Sequence, residues 1–389
     1  MGSESITIIK DNRYDTIIER FLGVVYFIHQ FTFILSASAM SRGIDSLNKS
    51  LNMLMIVTFA IIMLADFYYF LRGKFSIKEI IIYIIITIPL LISFYHYRVV
   101  MVLANVFLIS CFKNVDVKRM IKIYLLATAL GCVCNLLISL FTPWDGNVVQ
   151  SRYGIERIRY GLGFFYTTFL PHYFYSIVFM YILHNERLRK IDYFLAIIIN
   201  ILLFIATDTK AVLIYVFLIL VITLILNKSY NEIIHNVFGI ITTLSFIFCG
   251  LIAFSLSYFY DGNNKIMLYM NQVLSGRLEL MHRGLVRWGI TLWGQKLPIE
   301  ETGNTIDSSM VSMLMQNGVV VYIICIGFMT YLAYLSHKKK YLPLQIALFA
   351  IAIRSAFDLG FMSLQFGPAV VLLYTVLENN VIKKEINLK

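Results

Sequence analysis

Long apolar runs separated by short polar breaks fill the chain from end to end. A helix of about 20 residues crosses a hydrocarbon core of about 30 Å. On that scale the pattern predicts twelve spans, near 21–40, 52–71, 79–95, 98–112, 120–141, 162–184, 192–207, 209–226, 237–259, 310–335, 342–358 and 361–378. The runs 192–207 and 209–226 are separated only by Asp208 and its neighbours. One continuous helix there would hold Asp208-Thr209-Lys210 at mid-membrane, at a cost of about 2.5–3.5 kcal/mol per charge. A tight turn near one surface avoids that cost, so two helices are expected. Barrel-type alternation over short strands is absent from the pattern. The expectation is an all-α, polytopic membrane protein, a single integral domain over residues 1–389. The opening residues, MGSESITIIKDNRYDTIIERF, are polar with both charge signs, so the first apolar run reads as a permanent span rather than a cleaved leader.

Two polar stretches interrupt the runs, 142–161 and 260–309. The second carries Arg277, Glu279, His282, Arg283, Arg287, Glu300, Glu301 and Asp307, with Trp288 and Trp293. It is too polar to dissolve in lipid. Chemistry or recognition is expected there.

Composition agrees with the pattern. Hydrophobic residues make up 59% of the chain and charged residues 14%, against about 45–50% and 25% in soluble domains. Mean hydropathy is +0.77. Cys111, Cys132, Cys134, Cys249 and Cys325 all fall inside apolar runs without metal or redox spacing and read as packing residues.

The net charge of +11 needs a positional explanation. No basic soluble domain is present to bind nucleic acid. Most of the lysines and arginines instead fall in alternate connections, from Lys10, Arg13 and Arg20 through Lys338–Lys340 to Lys383, Lys384 and Lys389. The positive-inside bias places those connections, and both termini, in the cytoplasm. The stretches 142–161 and 260–309 then face outward.

Some cations fall on the wrong side for that bias: Arg152, Arg157, Arg159, Lys210, Arg277, Arg283 and Arg287. Arg354 sits within a span, one helical turn before Asp358. Guanidinium groups stay charged in low-dielectric sites and bind phosphate oxygens bidentately, so this set points to an anionic ligand at the membrane surface. A lipid-linked diphosphate fits that depth, and contact with anionic lipid headgroups is the bland alternative. Lys210 also fits a helix-end lysine snorkelling to the interface. Asp307 fits a helix N-cap, and Arg354 with Asp358 fits a structural pair.

Four stretches together resemble the superfamily of Wzy-type polysaccharide polymerases and O-antigen ligases. They are RIRYGLGFFYTTFLPHYF at 157–174, LLFIATDTKAVLI at 202–214, LSGRLELMHRGL at 274–285 and GNTIDSSMVSMLMQNGVVVYI at 303–323. This chain departs from the family pattern in the order of Pro171 and His172, in Lys210 where arginine is usual, and in Ser308 and Met310. The resemblance spans roughly residues 95–378 and implies an enzyme of the bacterial cytoplasmic membrane with its active face outward. It implies transfer between undecaprenyl-diphosphate-linked glycans without a metal or other cofactor. The same pathway would supply a flippase and a chain-length regulator as partners.

Such a reaction holds a diphosphate leaving group, takes a proton from an acceptor hydroxyl and excludes water. The candidates for the diphosphate are Arg277, Lys210 and Arg157, supported by Arg159, Arg152, Arg283 and Arg354. The motif points to Asp307 as base, with His282 and Glu279 as further candidates. His172, Tyr160 and Trp288 are candidate sugar or acceptor contacts. A ligase of the same superfamily and a lipid-linked oligosaccharide flippase are the competing expectations. Flippases usually show internal repeats and broken mid-membrane helices, and no clear repeat is visible here.

Overall fold

The computed structural model describes residues 12–72, 77–97, 108–109, 115–152, 155–228, 232–298 and 306–358. The predicted span 361–378 and all but two residues of the span 98–112 lie outside the described residues.

Fourteen helices are described here, with one β-hairpin. In chain order they are α1 (Asn12–Ser36), α2 (Ala39–Gly43), α3 (Asp45–Leu71), α4 (Ile77–Tyr97) and α5 (Val117–Phe141). The hairpin follows, β1 (Val148–Arg152) and β2 (Ile155–Arg159). Next come α6 (Phe169–Asn185), α7 (Lys190–Thr207), α8 (Lys210–Lys228) and α9 (Glu232–Tyr258). The last are α10 (Lys265–Val273), α11 (Arg277–Trp288), α12 (Ser309–Gln316), α13 (Gly318–Lys338) and α14 (Leu342–Phe357). Among the described residues, seven helices are long and apolar enough to cross a membrane: α1, α3, α5, α7, α8, α9 and α13. The helices α4 and α14 contain shorter apolar stretches. The chain is a helical, multi-pass membrane protein.

Local sequence explains the helix limits. Asp116 caps α5 by accepting from the Lys118 N–H at 3.0 Å. Asn264 caps α10 by accepting from the N–H groups of Ile266 and Met267. Each acceptor satisfies donors that the first helical turn leaves open. Asp208 adopts a left-handed conformation, φ 50°, and ends α7 before α8 begins at Lys210. Aspartate tolerates that conformation better than most residues. The two-helix expectation for this stretch therefore holds.

Three expectations need redrawing. The stretch 142–161 is not irregular throughout, because its second half folds into β1 and β2, antiparallel with Val149 opposite Ile158 and Gln150 opposite Arg157. The stretch 260–309 contains the helices α10 and α11. The predicted span 310–335 is broken into α12 and α13 at Asn317–Gly318. Gly318 takes φ 88°, and an added Cβ would lie 2.4 Å from the Gly294 nitrogen and 2.5 Å from the Leu292 carbonyl oxygen. Backbone from residues 291–295 fills the break: Gln295 N–H donates to Gln316 O at 3.0 Å and Val319 N–H to Thr291 O at 3.1 Å. The polar groups freed by the break are thus met by protein backbone, as a low-dielectric setting requires.

The contacts separate two ends of the bundle. At one end Lys118 pairs with Glu186, Arg119 with Glu19 and Lys340 with Glu232. At the other, Ala39 N–H donates to Gly163 O at 2.9 Å, and Tyr160 N–H to Ala206 O at 2.9 Å. Ser93 Oγ donates to Asn317 O at 3.0 Å at this same end. The hairpin, the α7–α8 turn, α10, α11 and the break in 310–335 all gather here. A large buried cluster, including Tyr124, Tyr175, Phe179, Phe246 and Met329, fills the bundle below. A second cluster, with Leu278, Met281, Leu285, Ile306 and Met315, seats α11 on it.

Candidate functional site

The site begins with a change of direction in the chain. Gly276, at φ 87°, separates α10 from α11 and donates its N–H to Asn271 O at 2.7 Å. Arg277 is then the first residue of α11. The apolar face of α11, Leu278, Met281 and Leu285, is buried, which fixes where the Arg277 side chain can reach.

It reaches the C-terminal end of α14. Arg277 Nη1 donates to Phe357 O at 2.7 Å and to Asp358 Oδ2 at 3.1 Å. On its other edge, Arg277 Nε stands 3.5 Å from Asp307 Oδ2. That contact is an ion pair at the long limit of a hydrogen bond. Among the described residues, Nη2 of Arg277 donates no hydrogen bond. The second Asp358 oxygen, Oδ1, lies 3.1 Å from His172 Nε2. Burial works against the Arg277 charge, but Asp358 and Asp307 outweigh it and hold the guanidinium above its ordinary value.

Asp358 is the hub of this arrangement. Its side chain is 5% exposed, like that of His172, while that of Arg277 is 13% and that of Asp307 30% exposed. The cluster therefore grades from buried to accessible along His172, Asp358, Arg277 and Asp307. Backbone bonds fix the hub: Ser309 donates both its N–H, at 3.0 Å, and its hydroxyl to Asp358 O. Ser308 Oγ donates to Ser355 O at 3.4 Å and accepts from Val311 N–H at 3.2 Å. Ser308, not Asp307, is the N-cap of α12. That leaves the Asp307 carboxylate turned toward Arg277. Arg354 lies deeper, 4% exposed, with Nη1 donating to Ser176 Oγ at 3.4 Å and its guanidinium 5.8 Å from the centre of the Tyr175 ring.

A second group of cations lies on the hairpin and the α7–α8 turn. Arg157 Nη1 stands 3.7 Å from Asp208 Oδ2. Arg159 Nε donates to Thr207 O at 2.7 Å, and its Nη2 to Thr209 Oγ1 at 3.3 Å. Lys210 opens α8 beside them and is exposed. Arg152 ends β1 opposite Ile155, and Tyr160 follows β2, exposed. Tyr215 on α8 and Tyr175 on α6, rings 5.8 Å apart, connect this side of the bundle with the buried cluster.

The remaining candidates spread over α11. Glu279 pairs with Arg283 one turn on, rather than with Arg277. Its N–H donates to Asn271 Oδ1 at 3.2 Å, and Asn271 Nδ2 donates to Tyr260 Oη at 3.1 Å. His282 Nδ1 lies 2.9 Å from Ser257 O. Trp288 lies under the Arg287 guanidinium, 6.0 Å from ring centre to carbon. Thus Arg277, Asp307, His172 and Arg354 come together, while Lys210, Arg157 and Arg159 form a separate group and Glu279, His282 and Arg283 line α11.

The residue that sequence reasoning undervalued is Asp358. Its signal was present, a carboxylate one turn after an arginine within an apolar run, but that reads equally as a self-contained pair. Comparison with known proteins adds nothing to this geometry: no protein-family model, no curated protein and no solved structure matches the chain.

Proposed function

We propose that this protein is a Wzy-type polymerase, joining undecaprenyl-diphosphate-linked repeat units at the outer face of the bacterial cytoplasmic membrane. The observation that carries the reading is Arg277, a guanidinium anchored by Asp358 at the bundle surface, with Asp307 on its accessible edge. A charge-fixed arginine beside a carboxylate supplies the two functions that the transfer needs. The arginine stabilises negative charge developing on the departing diphosphate, in a setting that amplifies electrostatic interactions. The carboxylate takes the proton of the acceptor hydroxyl.

The bond made joins the acceptor oxygen to the anomeric carbon of the donor sugar. The bond broken joins that carbon to the diphosphate oxygen, and undecaprenyl diphosphate leaves with the bonding pair. Arg157, Arg159 and Lys210 at the same end supply further positive charge for a second lipid-linked substrate. His172 and Asp358 act as positioning residues behind Arg277. Twelve spans with both termini in the cytoplasm complete the proposal. The lysine- and arginine-rich end that includes Lys118, Arg119 and Lys340 would then face the cytoplasm.

The test uses purified full-length protein in lipid nanodiscs with a lipid-linked repeat unit as sole substrate. A ladder of longer lipid-linked glycans is expected, and Arg277→Ala removes it while membrane insertion is retained. Transfer only when a lipid A core acceptor is added would make the protein a ligase. Movement of the lipid-linked sugar across liposomes without lengthening would make it a flippase.

A further inference from the structure

The two carboxylates that hold Arg277 are not equivalent. Asp358 is buried and accepts a hydrogen bond from Nη1 at 3.1 Å, alongside the 2.7 Å bond to Phe357 O. Asp307 is more exposed and faces Nε at 3.5 Å. The Nε–Nη2 edge is the edge with which a guanidinium grips an anion through two parallel N–H bonds. Here, among the described residues, it carries one long ion pair and no hydrogen bond from Nη2.

We infer that Asp307 occupies the anion-binding edge of Arg277 until a diphosphate displaces it, and that this displacement frees Asp307 to act as the base. The inference rests on the polymerase reading and deepens it. A carboxylate paired with a guanidinium is a poor proton acceptor, because the positive charge stabilises its ionised form. Once the guanidinium has turned to a diphosphate, the carboxylate stands beside two negative phosphates, which favour its taking up a proton. The Arg277–Asp307 contact itself is a weak restraint, since a partly exposed pair contributes little. The displaced group also stays close. Ile306 is 4% exposed and Ser308 is fully buried, so the backbone on either side of Asp307 is anchored and only the side chain turns. Asp358 holds Nη1 throughout, so the guanidinium itself need not move.

The balance of the step is complete. The acceptor hydroxyl gives its proton to Asp307, its oxygen bonds to the anomeric carbon, and the diphosphate leaves bound to Arg277. Departure of the diphosphate restores the Arg277–Asp307 pair, and the proton passes to water. The pairing ties base activity to the presence of a donor.

The test compares binding and turnover in full-length protein in nanodiscs, with undecaprenyl diphosphate, inorganic pyrophosphate and phosphatidylglycerol as probes. Asp307→Asn removes the competing charge at constant shape. It is expected to bind undecaprenyl diphosphate roughly fivefold more tightly, the scale of one partly exposed ion pair, while forming no polymer. Unchanged or weaker binding overturns the inference, even if the wild-type protein polymerises normally. A gain seen equally with phosphatidylglycerol overturns it too, since the edge would then be reading lipid charge rather than diphosphate. A gain shared with pyrophosphate supports it. The wild-type protein gives an independent reading: undecaprenyl diphosphate should alter the carboxylate bands of its infrared difference spectrum, and that signal should be missing in Asp307→Asn. A wild-type spectrum without carboxylate change sinks the displacement.

Discussion

At the scale of single residues, Asp358 carries the greatest consequence. It faces Arg277 and His172 from inside the protein, so its loss takes the buried counter-charge from Arg277 and leaves it the more exposed Asp307. Breaking a buried pair from one side costs about 3–5 kcal/mol. Asp358→Asn should therefore lower the thermal unfolding temperature in detergent sharply and abolish activity, whereas Glu279→Gln, which loses an exposed ion pair but keeps an amide oxygen to accept from Asn271 Nδ2, should scarcely move the unfolding transition. Equal melting curves for the two variants would contradict the hub role of Asp358. The sequence allowed half of this to be read. Arg277 stood out as a cation on the side where the positive-inside bias does not put it, and Asp307 through the motif at 303–323. Asp358 did not, because the groups that give it meaning lie on α6 and α11, far away along the chain. Asp307 read equally well as an N-cap, and only the bond from Val311 N–H to Ser308 Oγ decides against that.

At the scale of elements, apolar run length located most of the continuous helices, but α6 starts only at Phe169, seven residues into the run 162–184. The α7–α8 turn was legible for an energetic reason, the cost of charges at mid-membrane. The break between α12 and α13 was not, because its cause is another segment. Residues 291–295 supply the partners for Gln316, Val319 and Val320, and nothing in the run around Gly318 announces them. The hairpin hid for a similar reason: five-residue strands give a weak period, and its docking depends on Arg159 reaching Thr207 O. Gly318 tests the element directly. A methyl there meets backbone atoms of residues 292–294, in a conformation already unfavourable for an L-residue. Gly318→Ala should destabilise the protein by about 1–3 kcal/mol, read as earlier unfolding in a thermal or denaturant series. An unchanged transition would mean that the 291–295 segment is not clamped into the break.

At the scale of the whole molecule, the charged site and the lysine-rich connections occupy opposite ends of one bundle. The polymerase reading requires the first to face outward. A cysteine replacing Asn263, exposed near α10, should react with a membrane-impermeant maleimide on intact cells. A cysteine replacing Lys338, exposed at the end of α13, should react only after the membrane is opened. The reverse labelling would place the site in the cytoplasm and remove the outer-leaflet substrate.

The joining of α6 to α14 has one more consequence, for how the protein is made. Arg354 and its partner Ser176 are 178 residues apart, and Asp358 comes later still. During synthesis the early helices enter the bilayer with His172 already in place and nothing to hold. Arg277 arrives next, without the carboxylate that aims it. Only when α14 is inserted and the residue after it meets Ser309 is the cluster around Asp358 complete. On the polymerase proposal, a half-made chain would sit in the membrane among lipid-linked sugars without consuming them, because the insertion of α14 is also the step that completes the Arg277 site.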